Sequence, residues 1–250
     1  MPEVQGPPPL PLFLLEGQRA LLERLALAPA ARLLRRVPRG DGHPVLVLPG
    51  FSAGDRTTRA LRRYLREFGY AAHRWRLGPN FGPHGALERQ MVDRIHDLAA
   101  TYGRKVSLVG WSLGGIYARE LARGMPDRVR QVVTLGSPFG DTGRASNVSR
   151  LFEWFATREI SEERVAVARR LREPPGVPST AIFSKTDGVT HWKVCLERET
   201  PQTENIEVPG SHCGLGVNPL VLYAVADRLR QPEGDWRPFA RHGWRALLYG

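Results

Sequence analysis

The chain is poor in cysteine, in lysine and in long apolar runs, and each shortage excludes something. Only two of its 250 residues are cysteine, Cys195 and Cys213. That count rules out a disulfide-built scaffold, and the spacing of the pair matches no cysteine metal site. No apolar stretch approaches the ~18 residues of a membrane span. No basic segment precedes an apolar run near Met1, so no secretory leader is expected and the expected location is cytoplasmic. Of the 36 basic residues only Lys105, Lys185 and Lys193 are lysine. The formal net charge of +11 therefore rests on arginines, and these are scattered along the chain. No basic block carries interleaved aromatics, so the charge reads as composition and no nucleic-acid partner is expected. What remains is an ordinary globular chain with 42% apolar residues. At this length roughly 70–75% of the unfolded surface is buried on folding, enough for one large domain.

The pattern divides at about residue 44. Residues 1–43 form an arm that opens with Pro2, Pro7, Pro8, Pro9 and Pro11. Leu14, Leu15, Leu21, Leu22, Leu25 and Leu27 then recur at helical spacing, with Arg19, Glu23 and Arg24 between them. Pro29 is expected to interrupt this helix. Two readings of the arm stay open: a helix packed on the main domain, or an interfacial element lying on a membrane or over a site.

Residues 44–250 alternate short apolar runs with amphipathic stretches. Strands are expected at 44–48, 70–75, 105–110, 130–135, 180–184 and 205–208. Helices are expected at 57–68, 86–102, 113–123 and 219–229. This rhythm predicts an α/β fold with a mostly parallel sheet covered by helices on both faces. It breaks once, between 140 and 178, where a helical insert carrying Leu151, Phe152, Trp154 and Phe155 is expected. Insertions of that length in compact folds are usually functional.

The strongest local signal is Gly110-Trp111-Ser112-Leu113-Gly114, a G-x-S-x-G sequence. It follows an apolar strand and opens a helix, the strand–turn–helix context in which a serine stands above a sheet. A serine hydroxyl needs a base to take its proton, and the base needs an orienting carboxylate. Asp187 follows the apolar run Ala181-Ile182-Phe183, and His212 follows the short run ending at Val208. Both therefore fall at strand ends, in the order serine, acid, histidine. His191 is the rival base and Asp141 the rival acid. Two backbone N–H groups are the candidate oxyanion donors: that of Leu113, and that of Phe51 in Leu48-Pro49-Gly50-Phe51.

Taken together, Pro49-Gly50-Phe51, Gly110-Trp111-Ser112-Leu113-Gly114-Gly115, Thr186-Asp187-Gly188 and Gly210-Ser211-His212 resemble the α/β-hydrolase superfamily, lipase/esterase branch, over about residues 44–230. The resemblance implies cleavage of a small-molecule or lipid acyl ester through an acyl-serine intermediate, with no cofactor and no metal. It also implies that the 140–178 insert is a cap or lid. Trp111, Leu151, Phe152, Trp154 and Phe155 are the candidate substrate contacts. The oxyanion loop departs from the His-Gly lead common among lipases. Two other activities remain open on the same site: acyl transfer to an alcohol, and silent lipid binding. Cys195 and Cys213 are read either as a bridge between the acid and histidine loops or as two thiols. The aromatic C-terminal tail is expected to pack on the domain, and peripheral membrane contact is the minority reading for both ends.

Overall fold

The computed structural model describes residues 6–37, 39–140, 146 and 170–250. Six strands form one sheet: β1 (Pro44–Leu48), β2 (Ala71–Arg74), β3 (Val106–Trp111), β4 (Val129–Leu135), β5 (Ser179–Phe183) and β6 (Thr203–Glu207). Their order is β2-β1-β3-β4-β5-β6, and every pairing is parallel. Parallel neighbours require crossovers, and helices supply them. α4 (Arg59–Glu67) joins β1 to β2, α5 (Leu87–Tyr102) joins β2 to β3 and α6 (Leu113–Gly124) joins β3 to β4, while α7 (Pro219–Leu229) follows β6 and the short α8 (Arg245–Leu248) lies in the tail. The arm is α1 (Leu10–Leu14), α2 (Glu16–Leu25) and α3 (Leu27–Leu34).

Continuous burial of β1, β4 and β5 explains why these strands read as apolar runs without alternation. The two faces are nevertheless separate cores. Val45 and Val47 pack with α3, α4 and α7, while Leu46 and Leu48 pack with α5 and α6. Successive side chains of one strand thus feed opposite layers. The expected helix 219–229 is found with those bounds, because Asn218 accepts N–H bonds from Leu220 and Val221 and Pro219 takes the first turn. The expected strands and the helices at 57–68, 86–102 and 113–123 fall within one or two residues of the observed ones, and the helical insert expected between 140 and 178 lies mostly outside the described residues. The tail packs on the domain as expected, with Phe239 and Tyr249 buried.

One expectation about the arm fails. The chain breaks at Leu15 and at Ala26, not at Pro29. Pro29 sits in the first turn of α3, where a missing N–H costs no helical bond. No disulfide joins Cys195 and Cys213, which decides that question for two thiols.

Strand order also locates the crevice. From β1 the chain steps outward to β2, then returns to the other side of β1 as β3. At such a switch point the connections leaving the two strand ends diverge and open a cleft. Leu48 at the end of β1 pairs in register with Gly110, one residue before the end of β3. The loop carrying Phe51 and the turn carrying Ser112 therefore leave the sheet side by side.

Candidate active site

Ser112 occupies the tight turn between β3 and α6. Its backbone has φ 53° and ψ −122°, a region that non-glycine residues seldom enter. Strain of this kind persists only where surroundings impose it. Here the Ser112 N–H donates to Leu135 O at 2.9 Å, and Gly115 N–H donates to Ser112 O at 2.9 Å. A side chain at Gly110 would collide with the Gly114 carbonyl, so the turn admits only glycine there. The serine stands at the positive end of a twelve-residue helix.

Asp187 lies in the turn after β5. Its Oδ1 accepts the N–H groups of Val189 at 2.8 Å and Thr190 at 2.7 Å. That leaves Oδ2 to take Nδ1 of His212 at 2.6 Å. With the proton on Nδ1 facing the carboxylate, Nε2 carries the lone pair. Burial disfavours the imidazolium, but the charge and hydrogen bond of Asp187, aided by the charge of Glu16, outweigh it and hold the His212 pKa above its usual value. His212 is further fixed through its backbone, since Trp111 Nε1 donates to His212 O at 3.1 Å.

Ser112, His212, Phe51 and Trp111 line one cavity of about 570 Å³. Leu21 and Val189 add to its apolar wall. Asp187 stands behind His212, buried. Leu113 is the buried first residue of α6. The structure thus brings together the serine, histidine, acid and loop residues that the sequence nominated. Leu151, Phe152, Trp154 and Phe155, and the rival acid Asp141, lie outside the described residues. The rival base His191 is spent elsewhere: its Nδ1 accepts from Lys193 N–H at 3.3 Å, and its ring stacks on Trp192. Among the described residues no group of three or more His, Cys, Asp or Glu is placed to hold a metal.

Two parts of the site escaped the sequence. Asn80, fully buried, organises the Phe51 loop. Its Nδ2 donates to Pro49 O at 2.8 Å, its N–H donates to Ala53 O at 2.8 Å, and its carbonyl accepts from Ser52 N–H at 2.7 Å. The second part is the polar side of α2, which bonds to the loops on either side of Asp187 and His212. Arg119 and Arg123 of α6 also hold the chain where it returns from the insert, through the carbonyls of Arg170, Leu171, Glu173 and Pro174.

A model of the alpha/beta hydrolase family matches residues 45–248. The chain belongs to the alpha/beta hydrolase family. Solved structures similar to this family member include lipase B from Aspergillus fumigatus, at 18% identity and TM-score 0.59, covering 78% of this chain and 54% of that one. The chain thus spans about half the length of that lipase. The pyrethroid hydrolase PytH is similar at 17% identity and TM-score 0.55, covering 77% and 99% of the two chains. A monoacylglycerol lipase from Paleococcus ferrophilus matches at 14% identity and TM-score 0.51, covering 74% and 96%. At these identities the likeness is one of fold.

Proposed function

We propose that this alpha/beta hydrolase cleaves carboxylic acyl esters through an acyl-serine intermediate. The reading rests chiefly on the 2.6 Å bond from His212 Nδ1 to Asp187, with His212 and Ser112 on one cavity wall. In this reading Ser112 Oγ attacks the ester carbonyl carbon while His212 Nε2 takes its proton. Asp187 holds the imidazole in the required tautomer and balances the imidazolium. The carbonyl oxygen becomes an oxyanion held by the N–H groups of Phe51 and Leu113, and each such donor is worth ~10²–10³ in kcat. Collapse expels the alcohol, which takes the proton from His212. Water, deprotonated by the same histidine, then releases the acid and frees Ser112.

The acyl chain is assigned to the apolar side of the cavity, along Phe51, Trp111, Leu21, Val189 and Val217. That wall favours a medium or long chain over acetate, because each buried CH2 contributes ~0.8 kcal/mol. The arm stands beside this wall through Ala20, Leu21 and Arg24 of α2.

The test is turnover of p-nitrophenyl esters of increasing chain length by the wild type and by Ser112→Ala. The reading expects kcat/KM to rise from the acetate to the octanoate and Ser112→Ala to be inactive. Adding acceptor alcohols to the same assay separates hydrolysis from acyl transfer by the products formed.

A further inference from the structure

Residues 16–25 read as an ordinary amphipathic helix, yet its orientation is inverted. Leu14, Leu21, Leu22 and Leu25 are exposed, while Glu16 is only 5% exposed. Glu16, Arg19 and Glu23 stand at i, i+3 and i+7, so they share one face of α2. All three side chains are spent on the two loops that hold Asp187 and His212. Glu16 Oε1 accepts the N–H of Gly188 at 2.8 Å and the N–H of His212 at 3.1 Å, and Oε2 accepts the N–H of Cys213 at 2.8 Å. Arg19 donates to Thr186 O at 2.7 Å, Thr186 Oγ1 at 2.9 Å and Gly210 O at 2.8 Å. Glu23 accepts Ser211 N–H at 2.7 Å and Asn218 Nδ2 at 3.1 Å. The loops are cut to receive the arm: a Cβ at Gly188 would strike the backbone of Leu12.

A buried carboxylate accepting three backbone N–H groups is far more committed than a surface ion pair. Its three donors come from both loops, one residue after Asp187 and at and after His212. The β5 and β6 loops otherwise meet at the imidazole–carboxylate bond and where Gly210 joins Ser184 and Thr186.

We propose that Glu16 is a positioning residue for His212 and Asp187, and that its carboxylate makes the N-terminal arm part of the active site. The inference rests on the ester-hydrolase reading of Ser112, His212 and Asp187. Glu16 acts in two ways. It fixes the backbone of both loops, and small displacements at such sites cost up to ~10²-fold in rate. It also places a negative charge next to His212. The charged and titratable groups facing this histidine and its clamp are Asp187 from the β5 loop, Glu16, Arg19, Glu23 and Arg24 from α2, the last on the same cavity as His212, and Cys213 from its own loop. Arg19 stands 3.7 Å from Glu16 and tempers its charge without removing it. Losing a negative charge beside His212 makes the imidazolium easier to deprotonate.

The experiment compares wild type, Glu16→Gln, Glu16→Asp and Ser112→Ala in kcat and KM across pH, with NMR titration of the His212 imidazole. Glu16→Gln is expected to lower kcat ~10-fold or more while KM stays within ~3-fold. The acid limb of kcat/KM and the imidazole titration should both move to lower pH. Glu16→Asp keeps the charge and shortens the reach, so it should lower kcat and leave the acid limb in place. A Glu16→Gln enzyme with wild-type rate, or with a lower rate and an unmoved limb and titration, overturns the proposal. If Glu16→Gln does not fold, Glu16→Asp decides alone, and wild-type kcat in that variant overturns it. The imidazole titration needs no substrate. Survival of turnover in Ser112→Ala would count against the ester-hydrolase reading, separately from the clamp.

Discussion

Trp111 reaches from the turn before Ser112 to the backbone of His212, its indole N–H donating to the His212 carbonyl at 3.1 Å. The residue preceding the serine thereby sets the distance between the serine turn and the histidine loop. The same ring lies beneath Gly216, where a Cβ would sit within 3.1 Å of it. Trp111 is therefore both a wall of the cavity and a strut.

Trp111→Phe removes the donor and keeps most of the ring. The His212 carbonyl then keeps only the longer bond from Leu215 N–H at 3.4 Å, a loss of about 0.5–1.5 kcal/mol. We expect kcat to fall ~5–50-fold with a modest change in KM, because the loss acts on the position of the base rather than on binding. Steady-state kinetics at fixed pH measure this. Unchanged kcat would show that the His212 loop holds its place without the strut.

Arg119 and Glu197 form an ion pair in which neither side chain has any exposure. Arg119 also lies over the Phe139 ring at 3.8 Å and donates to Leu171 O at 3.0 Å and Glu173 O at 2.8 Å. Arg119→Met strands the Glu197 carboxylate, which keeps only Ser179 Oγ and the N–H of Arg198. The expected loss is about 3–5 kcal/mol. Arg119→Met/Glu197→Leu, which buries no charge, should recover much of it. Denaturant melts of the two variants give the comparison, and equal stability of both would contradict the argument.

His43 sits at the opposite end of the sheet, before β1, fully buried. Its Nδ1 meets Asp41 Oδ1 at 2.5 Å and its Nε2 meets Ser107 Oγ at 2.8 Å. Burial is the largest influence, with Arg130 and Arg104 adding to it and Asp41 opposing it, and the His43 pKa falls to about 4. The unfolded chain protonates its histidine near 6.5, so between pH 6.5 and 4 the unfolded state holds more protons. Stability is then fully present above pH 6.5 and is lost as pH falls toward 4, by up to about 3 kcal/mol from this group. His212, with its pKa raised, has the opposite slope. The difference between wild type and His43→Asn isolates the first effect. Parallel stability curves for the two proteins over pH 7 to 4.5 would contradict it.

Much of the fold was legible because burial on both sheet faces leaves a strong trace, as in Pro44–Leu48 and Ser179–Phe183. Ser112, Asp187 and His212 were legible because their residue types fall where strands end. The clamp was not. Glu16, Arg19 and Glu23 at helical spacing look like a solvated face, and nothing local says that backbone N–H groups about 170–195 residues away will meet them. Asn80 was hidden for a related reason: a single asparagine between Pro79 and Phe81 looks like turn chemistry, whereas it holds the Phe51 loop. Arg119 lies within an amphipathic helix pattern, and its partner Glu197 is distant in sequence. Polar contacts between remote segments carry no periodicity, so they leave no pattern to read.

The proposed reaction requires Ser112 to be a nucleophile activated by His212. The most direct measurement is the mass of the intact protein after treatment with a fluorophosphonate, for wild type, Ser112→Ala and His212→Ala. A single adduct on Ser112 is expected in wild type, none in Ser112→Ala, and labelling slowed by ~10³-fold or more in His212→Ala. An adduct on another residue, or wild-type labelling in the absence of His212, would contradict it.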